Sequence, residues 1–515
     1  MKDCLHATDL VLAIDVGTGS TKMVVYDLSG NQVCSTDQPY RTYEPVPGWS
    51  EQSADDWWRA VVCGCRVLWD KGVEPAAITG IGLSGQMENC LPLDGSGRPL
   101  RPAILYSDSR AIREAAAVVR QMGQDSIRDF SGNWFDQATT AAKLLWLKEH
   151  EPEVYKSTRV VVSGAKDYVA YRLTGYHATD PTNGSTTGLM NIHTRNWDDS
   201  FIAALGLSPS LLPPILSASQ RVGCVSKEAA EETGLSAGCP VFCGAGDAGT
   251  ANVGAGVIAP DRAHCYLGTT GWVATVSKVL PPGESEGLFT LCDLNPEFYI
   301  LVAPLLNAGR AYRWVIDALG ESEKRVANET GTDVYLLMEE TMARTLPGCN
   351  GLVFLPYLVG ERSPFKDPNA CGVFFGLSDK TTRHEMIRAT LEGVCFGIRQ
   401  AMNAVPSQTK VEKLTVIGGG SRSRVWTQIL ADTCACSVVV PEGGASGPCL
   451  GAAMTVLVGL GIAQDYSEVD GFIRIERVHE PVVESEERYN AVFSIYESLY
   501  PALKPVFKRR RELMG

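Results

Sequence analysis

The sequence predicts an α/β protein made of two similar lobes, and three observations lead there. The chain has 515 residues, whereas a single hydrophobic core stops growing at roughly 250–300 residues. Apolar, β-branched runs alternate with helical stretches through the first half, which is the α/β pattern. The second half then restarts the theme that opens the first: a strand, a Gly-Thr turn and a returning strand.

The opening run Leu10 to Ile14 is continuously apolar, as a central strand covered on both faces should be. Asp15-Val16-Gly17-Thr18-Gly19-Ser20 follows as a tight turn. Lys22 to Asp27 alternates and is β-branched, and Ser29-Gly30-Asn31 turns the chain into a third strand at Gln32 to Thr36. A helix comes next, with Ser53 as its expected N-cap, Asp55 and Asp56 in the first turn, and an apolar stripe through Trp58, Val61, Val62 and Cys65. A strand is expected at Ile78 to Leu83. In the second half, Ala263 to Leu267 and Trp272 to Val276 flank Gly268-Thr269-Thr270-Gly271. The lobe boundary is expected near Ala259-Pro260-Asp261, giving domains 1–258 and 259–515. No Pro- or Ser-rich linker marks it, so the lobes should share a substantial interface.

Composition excludes several classes. Hydrophobic residues make up 45% and charged residues 20%, an ordinary globular mix that leaves no stretch reading as disordered. The net charge of −13 argues against nucleic acid as a partner. The dense basic run Lys508-Arg509-Arg510-Arg511 reads as a solvated helix end. The 16 cysteines include no CxxC pair, and the opening MKDCLHATDL has no apolar core before Val11. Reduced thiols in the cytoplasm are therefore expected. Pro448 to Ala463 is apolar and uncharged, but too short for a span of about 20 residues, so it reads as a buried helix and no membrane is implied.

Six motifs could carry chemistry. In the first turn, Gly17 and Gly19 let the backbone approach a ligand, and successive amides can cradle an anion. Thr18 and Ser20 add hydroxyls, Lys22 a cation, and Asp15 a carboxylate able to hold Mg²⁺. Its plainer alternative is an ordinary hairpin. Gly268, Thr269 and Thr270 offer the same chemistry in the second half. Gly418-Gly419-Gly420-Ser421 follows a strand at Leu414 to Ile417 and could lay a flat backbone under a base, with Ser421 capping the next helix; close packing is the alternative. Gly443 to Pro448 could wall the same pocket. Asp247 stands among small residues after Val241 to Cys243, where it could accept a hydroxyl proton or cap a helix. Gln86, Met87, Glu88 and Asn89 follow a strand, at the end that lines clefts in open α/β sheets, and suit the hydroxyls of a sugar.

Together these motifs resemble the FGGY carbohydrate kinases, which have two actin-like ATPase (ribonuclease H-like) domains with a cleft between them. Gly372-Val373-Phe374-Phe375-Gly376-Leu377 running through His384 to Ala389-Thr390-Leu391-Glu392 matches the second signature of that family, and Thr140, Lys143 and Trp146 match the first more loosely. The resemblance spans about residues 10 to 465. It is closest to the xylulokinase branch, through Ser50-Glu51-Gln52, Leu100 to Leu105, Lys166-Asp167-Tyr168 and Phe354 to Arg362. Asp180 to Gly188 and Gly331 to Glu339 also resemble autoinducer-2 kinases.

The resemblance implies a kinase that transfers the γ-phosphate of ATP to a hydroxyl of a ketopentose such as xylulose. Asp247 would be the general base, and Asp15 and Asp247 would lie at Mg²⁺. Gly17, Thr18, Ser20, Lys22, Gly268, Thr269, Thr270, Gly418, Gly419, Gly420 and Ser421 would surround ATP. Gln86, Met87, Glu88 and Asp247 would meet the sugar in the first domain, with the nucleotide on the second. A small sugar is the expected partner, and the resemblance leaves room for a homodimer. Two positions depart from xylulokinases: Glu88 replaces a His and Ala248 an Asn. Ribulose, gluconate, glycerol and autoinducer-2 stay open as substrates. A non-enzymatic actin-like nucleotide switch is the competing class, and the polar cleft residues speak against it.

Overall fold

The computed structural model describes residues 9–281, 287–405, 410–442 and 447–514. Its first sheet contains β1 (Leu10–Val16), β2 (Ser20–Asp27), β3 (Gln32–Pro39), β4 (Ile78–Gly85), β5 (Arg221–Cys224) and β6 (Pro240–Phe242). In space they run β3-β2-β1-β4-β6-β5, with the short strand Ala245–Gly246 also on β4. The pairs β1/β4 and β4/β6 are parallel, as is the short strand on β4, and β1/β2, β2/β3 and β5/β6 are antiparallel.

The second sheet contains β7 (Arg262–Leu267), β8 (Gly271–Ser277), β9 (Phe289–Cys292), β10 (Tyr299–Leu305), β11 (Lys413–Ile417), β12 (Ser437–Pro441) and β13 (Ile475–His479). Its order is β9-β10-β8-β7-β11-β12-β13, with β7/β11 and β11/β12 parallel. Leaving β9 aside, the two sheets share one plan: an antiparallel meander, two parallel strands inside it, and an antiparallel edge. The echo in the sequence thus extends to whole sheets.

Local sequence explains the layers. Val11 to Ile14 are fully buried in β1, so the apolar run has no solvated face. The helix α1 (Ala54–Asp70) buries Trp58, Val61, Val62 and Cys65 as its stripe predicts. Ser53 occupies its N-cap position but makes no side-chain cap bond, contrary to expectation. The expected third strand runs on to Pro39.

Two helices join the halves. The first, α2 (Asp247–Gly254), ends the first lobe. The second, α6 (Gly447–Gly459), crosses it and lies on the first sheet; it follows α3 (Gly309–Leu319), α4 (Arg383–Ala404) and α5 (Arg424–Cys434). The crossing is backbone to backbone. A Cβ on Gly254 would stand 1.8 Å from the Gly447 carbonyl oxygen, and one on Gly451 would stand 2.0 Å from that of Thr250. The apolar segment around Pro448 is therefore a packed helix, as expected. Among the described residues no helix is long and apolar enough to cross a membrane, and every described cysteine is a free thiol. Gly443 to Ser446, expected to wall a pocket, lie outside the described residues.

The terminal helix α7 (Val483–Met514) carries the exposed Lys508 to Arg511 run. It is tied to the second lobe through the second signature. Arg388 Nε donates to Glu392 at 2.7 Å, and Tyr489 Oη donates to the same carboxylate at 2.8 Å, all three residues being buried. Glu392→Ala would leave the Arg388 charge buried and unpaired, an error costing about 3–5 kcal/mol. Denaturant titration should show a loss of that size, and an unchanged midpoint would mean the network contributes nothing.

Candidate active site

Between the lobes lies a cleft of about 1480 Å³. The first lobe contributes Asp15, Thr18, Gln86, Met87, Glu88, Tyr106, Asp247 and Ala248; the second contributes His264, Tyr266, Thr270, Trp272, Phe289 and Arg362. A second cavity of about 1040 Å³ is lined by Gly268, Thr269, Gly309, Tyr312, Asp333, Tyr335, Gly419, Gly420 and Trp426. The turn Gly268-Thr269-Thr270 stands between them, with Thr269 facing one and Thr270 the other.

Strand ends position the carboxylates. Asp15 is one residue from the end of β1, opposite Lys22 in the β1/β2 register, and accepts from Ser84 Oγ at 2.7 Å. Burial raises its pKa, against the pull of the Ser84 bond and Lys22. Asp247 opens α2 directly after Gly246, and burial pushes its pKa up to about 7, aided by the like charge of Asp15 and opposed by the Ala248 N–H. The cap position of that helix belongs to Gly246, where no side-chain cap bond forms. A Cβ on Gly246 would meet Met87 Sδ at 2.0 Å, so the Met87 loop packs directly behind the carboxylate.

Behind this floor is a buried ion cluster. Lys166 Nζ lies 2.6 Å from Asp167 and 2.9 Å from Asp180. Asp180 in turn accepts from the Thr182 and Asn183 amides. Desolvated charges are costly unless paired in this way.

Glu88 adopts a left-handed backbone with φ 59°, rare for a residue other than Gly. Its carbonyl and that of Ala138 accept from Lys143 Nζ, while Thr140 Oγ1 donates to Asn89 O at 3.0 Å. Two residues of the first signature therefore clamp the 88–89 turn. Burial pushes the Glu88 carboxyl up, opposed by Lys143 and Arg362, with Asp136 adding repulsion. Burial also pushes Lys143 down, opposed by Glu88.

The second lobe supplies an aromatic wall. Tyr266 stacks on Trp272 at 4.3 Å, and Trp272 Nε1 donates to His264 Nε2 at 3.2 Å. Burial pushes His264 down to about 4, so it is neutral near pH 7. Arg362 lies 4.5 Å from the Phe289 ring centre and reaches the cleft.

The sequence named Asp15, Thr18, Gln86, Met87, Glu88, Thr270 and Asp247, and all line the cleft. Gly268, Thr269, Gly419 and Gly420 line the second cavity. Gly17, Ser20, Lys22, Gly418 and Ser421 line neither. The amides of Gly17 and Gly268 are used inside their own turns, donating to Ser20 O and Thr270 O at 3.0 Å each. Ser421 Oγ donates to Gly418 O at 2.7 Å, and the cap of α5 is Ser423, whose Oγ accepts from the Trp426 amide. The capping role expected of Ser421 thus belongs two residues on, because a 3₁₀ turn at Gly419–Arg422 intervenes. Sequence reasoning missed Arg362, His264, Trp272, Phe289, Tyr312 and Tyr335. Only Arg362 had a signal, in the stretch from Phe354.

The comparisons with known proteins agree with this geometry. The family model "FGGY family of carbohydrate kinases, N-terminal domain" matches residues 10–254, and its C-terminal counterpart matches 263–460. The chain belongs to the FGGY family of carbohydrate kinases. It is therefore a sugar kinase with the actin-like two-domain fold, and the nucleotide-switch alternative falls. The chain is 30% identical to a xylulose kinase of Escherichia coli over 96% of its own length and 100% of that protein. It is 28% identical to a gluconokinase of Bacillus subtilis, covering 96% of each. A solved xylulose kinase from Rhodospirillum rubrum superposes with a TM-score of 0.88 at 28% identity, over 97% of this chain and 100% of that one.

The three glycines of this kinase after β11 differ in what they face. A Cβ on Gly419 meets nothing within 4 Å and would point into open cavity, whereas one on Gly420 would stand 2.7 Å from Leu267 Cβ. Gly420→Ala should therefore cost roughly 1–3 kcal/mol by overpacking, and Gly419→Ala much less. Thermal unfolding of the two variants distinguishes them, and equal losses would refute this division.

Proposed function

We propose that this kinase transfers the γ-phosphate of ATP to a hydroxyl of a ketopentose, with D-xylulose the first candidate. The observation that carries the reading is Asp247: a carboxylate at the start of α2, lining a cleft opposite the Thr270 turn, with a pKa raised to about 7. A base whose pKa lies near the working pH is well matched to removing a hydroxyl proton.

In the proposed reaction the domain of residues 1–258 holds the sugar and that of residues 259–515 the nucleotide. The adenosine occupies the cavity over Gly419, between Tyr312 and Trp426. The Thr18 and Thr269-Thr270 turns face the polyphosphate. Since the Gly17 and Gly268 amides are spent, the donors left in these turns are the threonine hydroxyls and later amides. Asp247 takes the proton from the sugar hydroxyl as its oxygen bonds to the γ-phosphorus, and the bond from that phosphorus to the ADP oxygen breaks. Positioning and charge neutralisation do most of the work, because the transition state is loose.

The residues present fit a divalent cation. Asp15 and Asp247 are oxygen donors lining one cleft, and the charge of Asp15 raises the cost of ionising Asp247. Bound there, Mg²⁺ would neutralise phosphate charge. Asp15 and Asp247 would hold it, directly or through water.

For the sugar, Gln86, Glu88 and Arg362 offer acceptors and donors in the cleft. Arg362 is the only cationic side chain among the described residues lining it, and Glu88 acts on it electrostatically. A sugar acid would add a fourth carboxylate to a cleft where Asp15, Glu88 and Asp247 face the one Arg362 guanidinium, so a neutral ketose is favoured over gluconate. The exchange of the expected His for Glu88 tunes which ketose is preferred.

A coupled assay with ketopentoses, aldonates and glycerol as acceptors tests this reading. Xylulose or a related ketopentose should give the highest kcat/KM, and a clear preference for gluconate would overturn it. With the best acceptor, Asp247→Asn should lower kcat roughly 10²–10⁴-fold while ATP still binds. Because the ionised form is the active one, wild-type activity should be lost as pH falls through about 7. Higher Mg²⁺ should move that limb to lower pH, since a cation favours the carboxylate.

A further inference from the structure

Gln52 lines neither cavity, yet it joins the two parts of the site. It is fully buried. Its Oε1 accepts from Trp57 Nε1 at 2.9 Å and from Gln86 Nε2 at 2.8 Å. Its Nε2 donates to Thr18 O at 2.6 Å and to Thr42 Oγ1 at 2.8 Å. Two donors meet the oxygen and two acceptors meet the nitrogen, so only one orientation of this amide satisfies its surroundings.

That orientation propagates. Gln86 is also buried, and its NH₂ group is committed to Gln52 and, more weakly, to Gly17 O at 3.4 Å. Its oxygen is left on the cleft side, where Thr18 Oγ1 lies 3.5 Å away. Gln86 thus enters the cleft as an acceptor for a hydroxyl. Thr18, whose side chain lines the same cleft, is held through its carbonyl by the same Gln52 amide.

We propose that Gln52 is a positioning residue: it fixes the Gln86 oxygen toward the sugar and ties that wall to the Asp15–Ser20 turn that faces phosphate. This rests on the reading of Gln86 as a sugar contact and of the turn as a phosphate contact. A mobile or flipped Gln86 would present NH₂ groups where a hydroxyl donates, and an unmade bond at a buried polar group weakens discrimination and rate together.

Steady-state kinetics of the full chain, each substrate varied at saturation of the other, test the proposal alongside thermal unfolding. Gln52→Met keeps the length and removes all four bonds. It should lower kcat/KM for the sugar roughly tenfold or more, the worth of one hydrogen bond to a buried group. Gln52→Glu keeps the oxygen facing Trp57 and Gln86 and changes only the side facing Thr18 and Thr42. It should hold the sugar KM within about threefold of wild type while raising the KM for ATP at least about fivefold, a split that uniform destabilisation does not produce. In a Gln86→Ala background, Gln52→Met should cost less than about threefold further, because residues acting as a unit are not additive. Equal losses from Gln52→Met in both backgrounds would overturn the proposal. So would wild-type KM values in Gln52→Met, or a Gln52→Glu variant as impaired toward sugar as Gln52→Met. If Gln52→Met fails to fold, Gln52→Glu decides alone: a raised KM for ATP with the sugar KM held supports the proposal, and unchanged kinetics or equal losses toward both substrates overturn it. Should Gln86→Ala alone leave sugar kinetics unchanged, the underlying reading of Gln86 fails, and the proposal with it; that outcome is visible separately.

Discussion

The crossing of α2 and α6 is the constraint on which the rest of the molecule depends. The two helices come from different halves of the chain and meet with no side chain between them, Gly254 against Gly447 and Gly451 against Thr250. Nothing larger than hydrogen fits at such a contact. α6 also presses on the first sheet, where a Cβ on Gly82 of β4 would stand 2.1 Å from Ala452 O. The second half of the sequence thus supplies part of the core of the first lobe. Asp247, at the first residue of α2, takes its position in the cleft from this packing.

A second pattern is electrostatic. Asp15, Asp247 and Glu88 share one cleft, and burial raises the pKa of each. A chain selected for stability alone would not place three partly desolvated carboxylates together, because unpaired buried charge is expensive. Partners offset some of the cost: Lys22 across from Asp15, and Lys143 with Arg362 around Glu88. What remains is a site that gains by taking up hydroxyl donors and cations. Local violation of folding rules at a functional site is the expected sign of such a role.

Much of this was legible in the sequence, and what was not has a common cause. The apolar run of β1, the repeated Gly-Thr hairpins and the lone Asp247 are local signals, and local signals read well. The use of the Gly17 and Gly268 amides inside their turns is geometry that residue types do not reveal. Ser421 looked like a cap because a 3₁₀ turn of Gly419–Arg422 cannot be told from a direct helix start by composition. Arg362, Phe289 and the Tyr266–Trp272 stack come from the far side of the cleft, and only the packing of one lobe against the other brings them there. β9 shows the same effect: its residues Thr290 and Cys292 bond to Asn133 and Ser185 of the first lobe.

The residues that identify the family and those that line the cleft do different jobs. Thr140 and Lys143 reach the loop at Glu88 and Asn89 through backbone carbonyls, so they hold its path whatever side chains it displays. Glu392 anchors Arg388 and Tyr489 in a buried network of the second lobe. Bonds to backbone and within a core are indifferent to which sugar is bound. The side chains at Glu88 and Ala248 project from that fixed frame into the cleft, and they are the two positions that depart from the xylulokinase pattern. A match to the signatures therefore settles the fold and the class of reaction, while the cleft-facing side chains it holds in place, Glu88 and Ala248, are free to differ from one family member to the next.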